Sequence, residues 1–319
     1  MFYLPGVAKQ WDGAWLERVV SGWVFGMTDL DPANTILDAH FGYPEGVGCY
    51  RFAKKKNLPL FITVRGLETE LMAVPAIKKQ MLEAFDYCTG IVSVSESLKD
   101  MLIQNGVDAS KIQVISNGVD SEIYFPGIRQ ASRDQLGVSP DTRLIVSLGN
   151  IQKRKGYDLL IKAIAAYRKD PQFRCVILGG VNESATKASL DASIQELGLK
   201  DQVQFFGQAT PDIVVQWLRA SNLFVLPTRR EGCCNAVLEA LSTGVPVIST
   251  PAGDNEKFVS DGLNGFIVPH ESPDAIYSAI EKSWDHPWDS EIISESVHPY
   301  TWEGAAEQVA RYVHERLAR

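Results

Sequence analysis

Ten short apolar runs rich in β-branched residues, separated by helical patterns, constrain this chain more than any other feature of its sequence. Strands that alternate with helices read as βαβ units, and their crossovers demand parallel pairing. The first series is TILDAH (35–40), LPLFITVRG (58–66), GIVSVS (90–95) and IQVISNG (112–118). After NGVDSEIYFPG comes a polar stretch, IRQASRDQLGVSPDT, which reads as a short helix and connector. The second series is RLIVSLGN (143–150), RCVILGG (174–180), QVQFFG (202–207), NLFVLP (222–227), PVISTP (246–251) and GFIVP (265–269). Nearly continuous apolarity in these runs fits strands covered by helices on both faces. The expected fold is α/β, two Rossmann-like doubly wound parallel-sheet lobes facing each other, with ligands outside the carboxyl ends of the strands.

This pattern divides the chain into a first lobe over 1–125, a second over 126–300 and a closing helix over 301–319 that returns toward the first lobe. A doubly wound half commonly holds about five strands or more. Only four candidates precede the connector, so the first lobe is expected to be incomplete. Residues 1–33 contain Phe2, Tyr3, Trp11, Trp15, Trp23 and Phe25 without strand alternation.

At 319 residues and 45% hydrophobic, the chain lies where single cores give way to two domains. A net charge of -8 argues against a nucleic-acid partner, although it leaves small phosphorylated ligands open. The five cysteines (Cys49, Cys88, Cys175, Cys233, Cys234) are odd in number and lack CxxC spacing or a nearby histidine pair. Neither a zinc site nor a disulfide framework is expected, and reduced thiols fit a cytoplasmic protein. No apolar run approaches the roughly 18 residues of a membrane span, and the start MFYLPGVAKQWDGAW lacks a charged region followed by an apolar one. Lys54, Lys55 and Lys56, with Lys78, Lys79 and the amino-terminal aromatics, offer a basic surface for peripheral contact with anionic lipid, at about 1 kcal/mol per cation. A solvated helix face is the commoner meaning of such a triplet.

Three constellations carry chemistry. In REGCCNAVLEALSTGVPVIST (230–250), a strand ends before TRREG and CCNAVLEALSTG reads as a helix closed by Gly244. Glu231 falls in the loop and Glu239 about a turn and a half into the helix. The amides of Gly232, Cys233 and Cys234 would sit at the positive end of the helix dipole, a ready site for phosphate oxygens. Spacing alone leaves open a plainer reading, in which Glu231 complements the dipole and Glu239 is a solvated face residue. In VSLGNIQKRKG (146–156), a strand ends at Gly149 and a helix begins near Gly156, so Lys153, Arg154 and Lys155 crowd the same sheet edge. One ammonium 4 Å from a phosphate oxygen is worth ~4 kcal/mol at an effective dielectric of about 20, before desolvation. In LDAHFGYPEG, His40 ends a first-lobe strand, and Arg65, ending the next, could reach the same opening. A dinucleotide fingerprint and a P-loop are both absent.

These residues stand in a pattern that resembles glycosyltransferase family 4, whose GT-B fold has two Rossmann-like lobes. EGCCNAVLEALSTGVPVIST is similar to the EG-x-x-N-x-x-x-EA-x-x-x-G-x-PV signature. ISNGVDSEIYFP is similar to the interlobe NGVD-x-x-x-F-x-P segment, RKGYDLLIKAI to KG-x-D-x-L-x-x-A, and DGLNGFIVP to the DG-x-NG turn. DAHFGYPEGVGCYRFAKKKNLPLFITVRG and the tail PYTWEGAAEQVARYVHERL resemble a subgroup that includes the teichuronic acid biosynthesis glycosyltransferase.

The resemblance implies a retaining, metal-independent hexosyltransferase that needs no cofactor beyond a nucleotide-diphosphate sugar as donor substrate. By residue it implies that Glu239 bonds the donor ribose, while Glu231 with Gly232, Cys233, Cys234 and Asn235 holds sugar hydroxyls and diphosphate. Lys155 would pair with the diphosphate beside Gly149, Asn150 and Arg154, and the nucleobase would lie at Gln208 and Ala209. His40 would lie near the reacting anomeric centre and the acceptor, it and Glu231 being the expected catalytic residues, with Arg65 on the acceptor side. Asn150 stands where the family commonly has arginine. The lost charged hydrogen bond is worth about 1.5–3 kcal/mol, unless Arg154 substitutes. The expected acceptor is a glycan or a lipid-linked molecule in surface polysaccharide synthesis. The competing expectations are a nucleotide-sugar-binding protein without turnover, and another GT-B chemistry such as an epimerase or a phosphorylase.

Overall fold

The structure is a computed structural model that describes residues 12–24, 31 and 33–318. It divides into two compact units, one of residues 1–116 with 305–319 and one of residues 117–304. Both are α/β units built on parallel sheets, so the two Rossmann-like lobes expected from the strand and helix alternation are present.

The first unit carries β1 (Leu37–His40), β2 (Leu60–Val64), β3 (Gly90–Ser93) and β4 (Ile112–Val114), in that order across one sheet. Each lies inside an expected run. Every residue of β2 and β3 is buried, because helices flank both faces. The helix Trp302–Leu317 docks here: the Tyr312 hydroxyl accepts from Ile91 N (3.2 Å) and donates to Lys111 O (2.6 Å). Its ring meets Phe61 edge-on.

The helix Asp12–Val24 lies against the helix Val47–Lys56, and Gly48 admits the Leu16 side chain. Of the amino-terminal aromatics, Phe2, Tyr3, Trp11 and Phe25 lie outside the described residues. At the end of the second helix, Lys55 pairs with Glu17 and Lys54 donates to the Tyr50 hydroxyl (3.2 Å). Among the described residues no helix is long and apolar enough to cross a membrane.

The second unit carries β5 (Arg143–Leu148), β6 (Phe173–Leu178), β7 (Val203–Gly207), β8 (Leu223–Leu226), β9 (Val247–Ser249) and β10 (Gly265–Ile267). Across the sheet the order is β10-β9-β8-β5-β6-β7. From β5 the chain winds outward through β6 to the edge strand β7, then returns to place β8 on the other side of β5. The order therefore reverses between β5 and β8, where the crevice of an open α/β sheet forms. The polar stretch after residue 127 does form a short helix, Arg129–Leu136, but it packs against the helix Pro211–Ala220. Arg133 is buried there and donates to Ala220 O (2.9 Å), Thr142 O (2.9 Å) and Asn222 Oδ1 (2.8 Å).

Candidate functional site

The reversal between β5 and β8 brings the loops after these two strands side by side. Backbone bonds tie them: Arg229 N donates to Arg154 O (2.7 Å), and the Thr228 hydroxyl donates to the same oxygen (2.9 Å). The KRK turn closes as one 3₁₀ turn (Lys153–Lys155) before the helix Tyr157–Ala163. Gly156 joins them at φ +72°, in the left-handed region where only glycine sits without strain, and a Cβ there would lie 1.9 Å from Pro227 O. That tight join sets Lys155 against the β8 loop.

Here Lys155 Nζ lies 2.7 Å from Glu231 Oε1, and Arg154 Nη1 donates to Glu231 Oε2 (2.7 Å). The Thr228 hydroxyl is 3.0 Å from Oε1. Burial pushes the Glu231 carboxyl up, but Lys155 and Arg154 outweigh it and hold it below its ordinary value. Two cations face one carboxylate, so the cluster keeps one surplus positive charge. Gly149 admits the lysine: a Cβ in its place would meet Lys155 Cε at 2.9 Å and Nζ at 3.1 Å. The Tyr157 hydroxyl donates to Gly149 O (2.6 Å) and fixes the end of β5.

The helix expected over CCNAVLEALSTG runs only from Asn235 to Ser242, with Cys233 and Cys234 in the loop before it, and Gly244 at φ +76° follows it. Among the described residues the amides of Gly232 and Cys234 have no protein acceptor. Asn235 is turned to the Asn117 side chain, whose Nδ2 donates to its Oδ1 (2.8 Å). Glu239, half-buried on this helix, has no side-chain partner among the described residues. Burial pushes its carboxyl up to about 7, against a weaker opposing pull from the Lys155 charge. A carboxyl with no partner, within the field of that ammonium, is open to a hydroxyl-bearing ligand.

The remaining expected residues fall in three places. Asn150 Oδ1 accepts from Gly180 N (3.2 Å), so its side chain ties the end of β5 to the loop after β6. Gln208, exposed, and Ala209, half-buried, follow β7 at the sheet edge. His40 and Arg65 pair with each other in the first unit, at the carboxyl ends of β1 and β2, with Arg65 Nε donating to His40 Nδ1 (3.1 Å).

Sequence reading missed Thr228, Arg229 and Asp158, which brace the site. Arg229 grips Asp158 with two bonds (2.8 and 2.9 Å) and donates to Lys153 O (2.8 Å). Glu271 also binds Arg229, and both acids hold its guanidinium firmly protonated. The only sequence signal was an arginine in the β8 loop and an aspartate opening the helix after KRKG.

None of the five cysteines is in a disulfide. Burial pushes the thiols of Cys88, Cys175 and Cys234 up to about 12, so these are packing groups and not nucleophiles. Among the described residues no group of three or more His, Cys, Asp or Glu side chains is placed to hold a metal ion.

Residues 34–123 match the family model described as glycosyltransferase family 4, and residues 128–315 match that described as glycosyl transferases group 1. The D-inositol 3-phosphate glycosyltransferase of Corynebacterium glutamicum is 29% identical over 238 residues, covering 71% of this chain and 57% of the relative. That of Paenarthrobacter aurescens is 29% identical over 268 residues, covering 82% and 62%. The chain thus spans about three fifths of the length of these curated relatives.

Sucrose-phosphate synthase from Thermosynechococcus elongatus superposes with a TM-score of 0.86 at 19% identity, over 99% of this chain and 81% of that one. Anabaena HepE in complex with UDP and glucose superposes with a TM-score of 0.82 at 21% identity, over 93% and 81%. These likenesses identify the fold as GT-B. The match over 128–315 takes in more than half of the chain, which therefore belongs to the glycosyl transferases group 1 family.

Proposed function

We propose that the chain moves a sugar from a nucleotide-diphosphate sugar to a hydroxyl of an acceptor, with the donor held by the second unit. The observation that carries this reading is the cluster of Arg154, Lys155 and Glu231 at the reversal point of the sheet, with the open carboxyl of Glu239 nearby. The surplus charge suits a diphosphate, and the amides of Gly232 and Cys234 add donors at the start of a helix. Glu239 suits the ribose hydroxyls. Asn150 brings no cation, so Arg154 is the second positive group that the diphosphate would meet.

In transfer, the bond from the anomeric carbon to the diphosphate oxygen breaks and a bond to the acceptor oxygen forms. The acceptor hydroxyl gives its proton to the departing diphosphate oxygen, which takes the bonding electron pair as the nucleoside diphosphate leaves. Lys155, Arg154 and the helix start stabilise that charge as it develops, the task a metal ion performs in other transferases. We read the reaction as retaining and free of a resident metal. The acceptor we favour is a glycan or lipid-linked molecule of surface polysaccharide synthesis, reached in peripheral contact with a membrane. The relatives named for D-inositol 3-phosphate support a phosphorylated polyol as a second acceptor class.

A thermal-shift panel of UDP-, GDP- and ADP-sugars, followed by assays of nucleoside diphosphate release with both acceptor classes, tests the reading. One nucleotide sugar should raise the unfolding midpoint and be consumed in the presence of an acceptor. If none shifts the midpoint, the reading is wrong. A shift without turnover would leave a binding protein.

A further inference from the structure

We propose that Glu68 is a positioning residue that sets the tautomer and orientation of His40 by clamping the backbone on both sides of the His40–Arg65 pair. Glu68 is 0% exposed. Its Oε1 accepts from Gly42 N (2.7 Å), and its Oε2 accepts from Gly66 N (2.8 Å) and Arg65 N (3.2 Å). One carboxylate therefore binds the turn that follows β1 and the turn that follows β2. His40 stands two residues before Gly42, and its partner Arg65 donates one of the three bonds.

The clamp holds a turn that would otherwise relax. Phe41, between His40 and Gly42, has φ +77°, a strained conformation for an aromatic residue. Its own N–H donates to Thr63 O (2.7 Å), and its carbonyl accepts from Gly46 N (3.0 Å). Gly42 has to be small, since a Cβ there would meet Phe85 at 2.9 Å and Glu68 Cγ at 3.3 Å.

Only an acceptor fits this pocket. Three N–H groups converge on the carboxylate, and a glutamine amide would turn a donor toward at least one of them. The consequence for His40 follows from the guanidinium, which can only donate. Arg65 Nε and Nη2 lie 3.1 and 2.9 Å from His40 Nδ1, so Nδ1 must accept. The proton of the neutral ring then resides on Nε2, 3.4 Å from Asp38 Oδ2. The imidazole is half exposed, at 50%, with its Nε2–H turned toward Asp38. In this arrangement His40 is a hydrogen-bond donor held between Arg65 and Asp38, and its Nδ1 lone pair is not free to take a proton from an acceptor.

The tautomer is independent of substrate, whereas any effect on turnover rests on the transfer reading above. Two-bond nitrogen–carbon NMR correlations of ¹⁵N-histidine protein in alkaline buffer, with His40 assigned from its loss in His40→Gln, report the tautomer directly. Wild type should show His40 as a single Nε2–H form. Glu68→Gln should mix the two tautomers while the other histidine signals stay in place. It should also lower kcat at least tenfold, with KM for the nucleotide sugar changed less than threefold.

Should Glu68→Gln fail to fold, Arg65→Gln removes the donor to Nδ1 without touching the clamp, and it should mix the tautomers as well. A folded Glu68→Gln protein with an unchanged His40 spectrum, or an unchanged spectrum in Arg65→Gln, overturns the proposal. A wild type that binds no nucleotide sugar would end the transfer reading and leave the NMR result standing.

Discussion

The Lys155 ammonium lies 2.7 Å from Glu231 Oε1, with the two side chains only 10% and 8% exposed. The residues are 76 positions apart, and the pair exists because β5 and β8 are neighbours across the reversal of the sheet. A buried carboxylate that satisfies two cations does two jobs. It makes the burial of Lys155 tolerable, and it leaves one unit of positive charge for an anion.

Removing that carboxylate should separate the two jobs. Glu231→Gln leaves Lys155 buried beside Arg154 without compensation, and breaking a buried pair costs about 3–5 kcal/mol. The urea midpoint should fall accordingly. Inorganic diphosphate, meeting two unopposed cations, should bind at least as tightly as to wild type by calorimetry, while nucleoside diphosphate release from the sugar nucleotide is lost. Weaker diphosphate binding would mean that Glu231 does not act by neutralising these cations.

Lys155→Met tests the other partner. A nucleoside diphosphate should lose ten- to one-hundredfold in affinity, about 1.4–2.7 kcal/mol. The matching nucleoside, which carries no phosphate, should bind as before. Equal losses for both ligands would place Lys155 outside the phosphate site.

The Glu239 carboxyl, raised to about 7 by burial, makes stability depend on pH. Unfolded, an ordinary glutamate titrates near 4.5. Between these values the folded chain keeps a proton that the unfolded chain has lost, so this contribution is full below about 4.5 and is lost as pH rises through 7. Glu239→Gln should flatten the decline, by roughly 3 kcal/mol at most at pH 8. Denaturant midpoints from pH 5 to 8 check it, and parallel curves for the two proteins would refute it.

Gly156→Ala should cost about 2–4 kcal/mol, because the new methyl would lie 1.9 Å from Pro227 O at a φ of +72°. Gly137→Ala is the control: it has a similar φ of +67° with nothing within 4 Å, and should cost only about 1–2 kcal/mol. Similar losses for both would show that the β5 and β8 loops do not press together at this point.

What was legible follows the range of the forces involved. Nine of the ten strands fall within apolar runs of the sequence and β6 starts one residue before its run, at Phe173, while the helix Asn235–Ser242 lies inside the predicted CCNAVLEALSTG segment, because strand and helix propensities and glycine stops act over a few residues. The basic turn and Glu231 could likewise be placed at strand ends, and Glu239 on the helix that follows, from order alone. Glu68 could not: its three partners are set by two turns that meet only once β1 and β2 pair, and in RGLETE it reads as one acid among several.

The sequence by itself determined an alternating α/β chain with cations after one buried strand and acids after another. The tertiary structure decided that those strands are neighbours, that Arg154 and Lys155 both turn to Glu231, that Glu239 is left without a side-chain partner among the described residues, and that the Asn150 Oδ1 is taken by the Gly180 amide. The reason is physical. Propensity is local, whereas strand order and the desolvation of a carboxyl depend on segments far apart in the chain, and no stretch of sequence states them.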